Sequence, residues 1–163
     1  MLFRSLMQAV KRGGGLIVAS QFTLWPDANG EPMISPHLKA LRPFLKRGDF
    51  APGSEGQACV DLIRDQVDVV VQKVAYSAFF NTQLDWVLRK AGVHRVLVAG
   101  IVTNGGVAST VRDAHMRDYE TVVVADGCSA FKLQTHEAAL ADMASVARVA
   151  LIAELLQEAK PAS

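Results

Sequence analysis

The sequence predicts a three-layer α/β/α fold around a mostly parallel sheet. Three observations carry that expectation. Short apolar, β-branched runs alternate with stretches of helical period, the pattern of right-handed βαβ crossovers with helices on both faces. The segment after residue 99 reads as a strand passing through a tight turn into a helix, the place where such a fold aims backbone N–H groups at a ligand. The 163 residues, half of them hydrophobic and a fifth charged, suit one compact domain, with no internal repeat, low-complexity tract or linker.

The elements follow in order. Leu2 to Arg12 places Leu2, Leu6, Ala9 and Val10 on one helical stripe, and Gly13-Gly14-Gly15 stops it. Leu16-Ile17-Val18-Ala19 is a short buried strand. Phe22 to Gly56 is rich in Pro, Gly, Asn and Asp and reads as an irregular segment with one short helix near His37 to Leu41. An irregular stretch of that length is usually functional, as a lid or an oligomer contact. Val60, Ile63 and Val67 mark a helix, and Asp68 to Lys73 a strand with Val69-Val70-Val71 at its centre. Phe80, Leu84, Val87, Leu88 and Ala91 form a helical stripe ended by Gly92. His94 to Gly100 is the next strand, and Val107 to Met116 the next helix. Thr121 to Ala125 is a strand, Thr135 to Ala144 a helix, Arg148 to Ile152 a short strand and Glu154 to Ala159 a last helix. Pro161-Ala162-Ser163 reads as a frayed end.

Composition excludes several classes. The net charge of +1 leaves no electrostatic footprint for nucleic acid or an anionic membrane. No apolar run is long enough to span a bilayer, and the N-terminus is too charged for a signal peptide. Cys59 and Cys128 lie far apart without metal-type spacing, so the expectation is a reducing cytoplasm and no disulfide framework. His94 and His115 have no acidic or sulfur neighbours at ligand spacing, and no metal or cofactor is expected.

In parallel sheets ligands bind beyond the carboxyl ends of the strands. Three segments belong there: Lys73 with Tyr76-Ser77-Ala78-Phe79, the turn from Gly100 to Gly106, and Asp126-Gly127-Cys128. They are expected to converge. Lys73 ends an apolar strand and faces either solvent or a pocket, and the Tyr-Ser-Ala-Phe context favours the pocket. Desolvation there would lower its pKa and suit proton handling. Trp25, Tyr76 and Phe79 are candidates for the pocket wall, with Phe22 beside them, whereas Phe80 falls on the helical stripe and reads as core. Trp25, before Pro26, suits substrate contact or a subunit interface. Cys128 reads as a small buried thiol, Cys59 as structural, His136 as local or capping, and His37 as solvated, at an oligomer contact or at the pocket mouth.

The chain resembles the isochorismatase-like cysteine hydrolases from about Leu16 onward. Lys73 to Leu84 is similar to that family's Lys-x-x-x-Ser-Ala-Phe-x-x-Thr-x-Leu motif. Gly100 to Thr110 is similar to its nucleophile turn, and Asp126 to Phe131, with His136 beyond, to the segment after its next strand. The resemblance implies an Asp–Lys–Cys triad acting on a small amide or related C–N or C–O substrate. Lys73 matches the lysine, and Gly106 stands where the family carries its cysteine. A thiolate at a helix N-terminus beside a cation attacks carbonyls well, whereas glycine has no nucleophile. The family's aspartate ends a first strand ahead of the first helix, and this chain begins at what resembles that helix. The domain is therefore expected to be N-terminally incomplete. Its missing strand either lies upstream of Met1, or the remaining strands close up or borrow one from a partner.

At a helix start with its partial positive charge, the N–H groups of Gly105, Gly106 and Val107 are a candidate oxyanion site, with Val102 and Thr103 among the binding candidates, and the resemblance implies a cis peptide between Val102 and Thr103. Thr103 and Asn104 would fix the turn. It implies dimers or tetramers as well. The expected function is a family hydrolase, impaired or inactive as it stands. The alternatives are a non-catalytic small-molecule binding module and a structural subunit.

Overall fold

A computed structural model describes residues 2–159. The C-terminal Pro161-Ala162-Ser163, read as a frayed end, lie outside the described residues. Helix α1 spans Leu2–Arg12 and buries Leu6 and Met7. Strand β1 is Val18–Phe22. Within the irregular segment lies α2, Pro36–Leu41, where the Ser35 hydroxyl accepts the Leu38 N–H and Pro36 starts the first turn. A single turn, α3, covers Asp61–Arg64 and is shorter than the periodicity predicts. Strand β2 is Val69–Lys73 and α4 is Leu84–Lys90. Gly92, at φ 68°, ends α4 with the Val93 N–H bonded to the Leu88 carbonyl. Strand β3 is Arg95–Ile101, and α5 is Ala108–His115. The remainder is β4 (Glu120–Ser129), α6 (Leu133–Met143), β5 (Arg148–Ala150) and α7 (Ile152–Glu158).

All strand pairings are parallel, and they form two separate ladders. β1 pairs with β2, with Phe22 opposite Lys73. β3 pairs with β4, and β4 with β5. Among the described residues no ladder joins the two groups. The consequence is visible in burial. Val122, Val123 and Val124 of β4 are fully enclosed, whereas Val96, Leu97, Val98 and Ala99 of β3 are only half-buried.

The three-layer arrangement follows from the period-2 alternation of β4. Val122 and Val124 face a cluster with Leu6, Ile152 and Leu155, so α1 and α7 cover one side. Val123 faces Val107, Val111 and Met143, so α5 and α6 cover the other. A third cluster joins Val71 of β2 to Phe79, Leu84, Leu88 and Ala114, with Val96 of β3 packed against it. This cluster holds the two ladders side by side without strand hydrogen bonds.

Two aromatic expectations change. Phe79 is buried and stacks at a tilt on Tyr119, 5.9 Å between ring centroids, so it is core and not pocket wall. Phe80, read as core, is exposed because the chain turns outward ahead of α4 instead of entering the helix at residue 80.

Candidate functional site

The site forms where the carboxyl ends of β2 and β3 meet. After β3 the chain passes through Val102 into a π-helical turn, Thr103–Val107, before α5 begins. The cis peptide is Ile101–Val102, one bond earlier than the sequence resemblance implied. An ideal Cβ built on Gly106 lies 3.1 Å from Lys73 Nζ and 3.4 Å from the Tyr76 carbonyl oxygen. Residue 106 therefore points at the lysine. Its backbone lies outside the left-handed region, so conformation does not demand glycine there. The 3.1 Å neighbour is the far end of a flexible side chain, which can shift to admit a small residue.

Lys73 Nζ donates to the Tyr76 carbonyl at 2.6 Å. Burial holds its ammonium below the ordinary lysine range, and among the described residues no carboxylate forms an ion pair with it. The three segments expected to converge do so in part. Lys73 meets the turn at Gly106. Cys128 and Ser129 pair with Gly100 and Ile101 where the turn begins, whereas Asp126 accepts the Ile152 N–H and Gly127 packs by Phe3 of α1. Cys128 lies 4.0 Å from the Val98 carbonyl, and burial pushes its thiol up, away from the thiolate.

Two of the three expected oxyanion donors are occupied. The Gly105 and Val107 N–H groups both donate to the Val102 carbonyl, at 3.0 and 3.3 Å, which closes the π-turn. They are not open donors in this conformation. Thr103 is fully buried, and its hydroxyl pairs with His136 Nδ1 at 2.8 Å, so α6 clamps the start of the turn.

Thr110, present in the motif but given no role by the sequence, is the main fastening. Its hydroxyl donates to the Gly106 carbonyl at 2.7 Å and accepts the Ala78 N–H at 3.0 Å. One buried side chain thus ties the turn to the loop after Lys73. Tyr76 completes the wall: Cε1 of its half-exposed ring lies 3.5 Å from the position of a Cβ on Gly105. Arg42, also missed, stacks over that ring with Cζ 4.6 Å from its centroid. Trp25 is exposed in a turn beyond β1, with its carbonyl bonded to the Met33 N–H. A separate concavity of about 480 Å³ runs between α5 and α6 and meets the turn only at Asn104. The convergent polar groups lie on the Lys73 face, not in this concavity.

The isochorismatase domain profile matches residues 3–154, and the chain belongs to the isochorismatase family. Among curated relatives it is 41% identical over 107 residues to the ureidoacrylate amidohydrolase RutB of Yersinia enterocolitica, covering 61% of this chain and 46% of that protein. It is 37% identical over 103 residues to the RutB of Serratia proteamaculans, covering 63% and 40%. The chain thus spans less than half the length of these relatives. Among solved structures, a cysteine hydrolase from Pseudomonas syringae pv. phaseolicola superposes with a TM-score of 0.82 at 23% identity, over 98% of this chain and 80% of that one. N-carbamoylsarcosine amidase from Thermoplasma acidophilum gives 0.72 at 25% identity, over 93% and 80%.

Proposed function

We propose that the chain is an amide hydrolase by lineage whose site, as this sequence stands, binds a small carbamoyl or amide compound without the covalent step. The observation that carries this reading is Gly106, whose missing side chain would point at Lys73 from 3.1 Å. The position is built for a nucleophile and holds none. RutB and N-carbamoylsarcosine amidase are both named for C–N chemistry on a ureido or carbamoyl acid, which supports that substrate class. The Gly106 N–H is the one expected oxyanion donor to which this reading still gives that role.

The chain is proposed to be a single domain whose two ladders are held side by side by side-chain packing. Assembly with a second copy is part of the proposal. Ile101 at the end of β3, and Phe131 and Leu133 just after β4, exposed at 79%, 90% and 70%, support it.

The test is Gly106→Cys. A thiol placed there is activated by the Lys73 ammonium and should be alkylated by iodoacetamide near neutral pH roughly tenfold faster than Cys59 or Cys128. The native chain, melted with an N-carbamoyl acid, should be stabilised and release no product. A folded Gly106→Cys variant whose new thiol reacts no faster than the other two removes the reading of the turn as a nucleophile position.

A further inference from the structure

We propose that Arg42 is the specificity residue of this site and holds the carboxylate of an anionic amide or ureido substrate against the Tyr76 ring. The inference rests on the site reading above and adds the charge class of the ligand and the residue that selects it.

Arg42 caps the C-terminus of α2, and its N–H bonds back to the Leu38 and Lys39 carbonyls. Its own carbonyl accepts the Leu45 N–H, and Leu45 is buried. The backbone that carries the guanidinium is thus pinned from both sides. Arg42 is half-buried, its guanidinium lies over Tyr76, and it forms no ion pair among the described residues. Its neighbour Arg47, by contrast, donates to the Asn29 carbonyl.

Stacked on an aromatic face with no carboxylate partner among the described residues, the planar guanidinium keeps its donor fork free, and that fork matches a carboxylate. Tyr76 links it to the chemistry. The ring that Arg42 covers also approaches Gly105, and the carbonyl of the same residue receives Lys73 Nζ. Two cations therefore flank Tyr76, and neither has a counter-ion among the described residues. A ureido or amide acid separates its carboxylate from its carbonyl carbon by a few bonds. The Tyr76 ring bridges the two ends of the site: Arg42 Cζ lies 4.6 Å from its centroid, and its Cε1 lies 3.5 Å from the position of a Cβ on Gly105.

The test compares N-carbamoylglycine with its methyl ester by calorimetric titration of the native chain, Arg42→Gln and Arg42→Lys. Melting curves establish that each variant is folded. The native chain should prefer the acid by roughly tenfold or more, the scale of a charge-assisted bidentate contact. In Arg42→Gln that preference should vanish while ester affinity is unchanged. Arg42→Lys should recover only part of it, since an ammonium supplies charge without the fork. Equal binding of acid and ester by the native chain overturns the role of Arg42 and leaves the site reading intact. A folded Arg42→Gln that keeps the native preference overturns it too. Binding of neither compound by the native chain overturns the site reading, and this inference with it.

Discussion

Lys73 is the residue on which the site turns, and its titration is open to measurement. Burial lowers its pKa from 10.5 in the folded chain. Below the lowered value both folded and unfolded chains are charged, and folding bears the full cost of desolvating the ammonium. As pH rises from the lowered value toward 10.5, the unfolded chain holds more protons than the folded one. Stability therefore rises with pH, and the cost fades. Lys73→Met removes the cost altogether. It should melt at a higher temperature than the native chain around pH 6, and the difference should shrink steadily toward about pH 10. A difference independent of pH would mean that Lys73 is solvated. The sequence revealed Lys73 and Gly106 because both lie in local motifs. Arg42 stayed hidden, because its place over Tyr76 depends on the path of the irregular segment. That path is held by distant bonds such as Leu24 N–H to the Phe50 carbonyl.

At the scale of elements, periodicity located the strands and helices but misjudged their ends. β4 runs to Ser129, well past the apolar run that identifies it, because Cys128 and Ser129 still pair with Gly100 and Ile101 beyond a bulge. α4 begins at Leu84 instead of Phe80, because residues 77–79 are buried in a turn held by the Ser77 and Thr82 hydroxyls. Side-chain bonds between elements are what sequence patterns carry least, and Thr110 is the clearest instance. It lies on α5 yet serves both the π-turn and the loop after β2. Thr110→Val keeps the shape, leaves the Ala78 N–H without its acceptor, and frees the Gly106 carbonyl. The expected loss is about 1–3 kcal/mol, read as a lower urea midpoint with an unchanged slope. The same variant should weaken ligand binding, since it loosens the turn against Lys73.

Across the whole molecule, the α/β/α layering was legible from the alternation of strands and helices, and the division of the sheet was not. Val96 to Ala99 read as an ordinary buried strand, and only the three-dimensional arrangement shows β3 paired with β4 but with neither strand of the other ladder. Hydrogen exchange should record this. The β4 amides of Val122 and Val123, paired on both sides, should be protected longest, and the amides of β1 and β3 should exchange faster. Equal protection of β3 and β4 would indicate a partner strand in solution. The division has a mechanical side. Lys73 belongs to one half of the sheet and Gly106 to the turn that leaves the other, so the candidate site lies on a seam. A ligand gripping both is a clasp, and its binding free energy doubles as adhesion between the halves. Occupancy of the site and cohesion of the domain then become one quantity, in which a weak binder is also a weak glue.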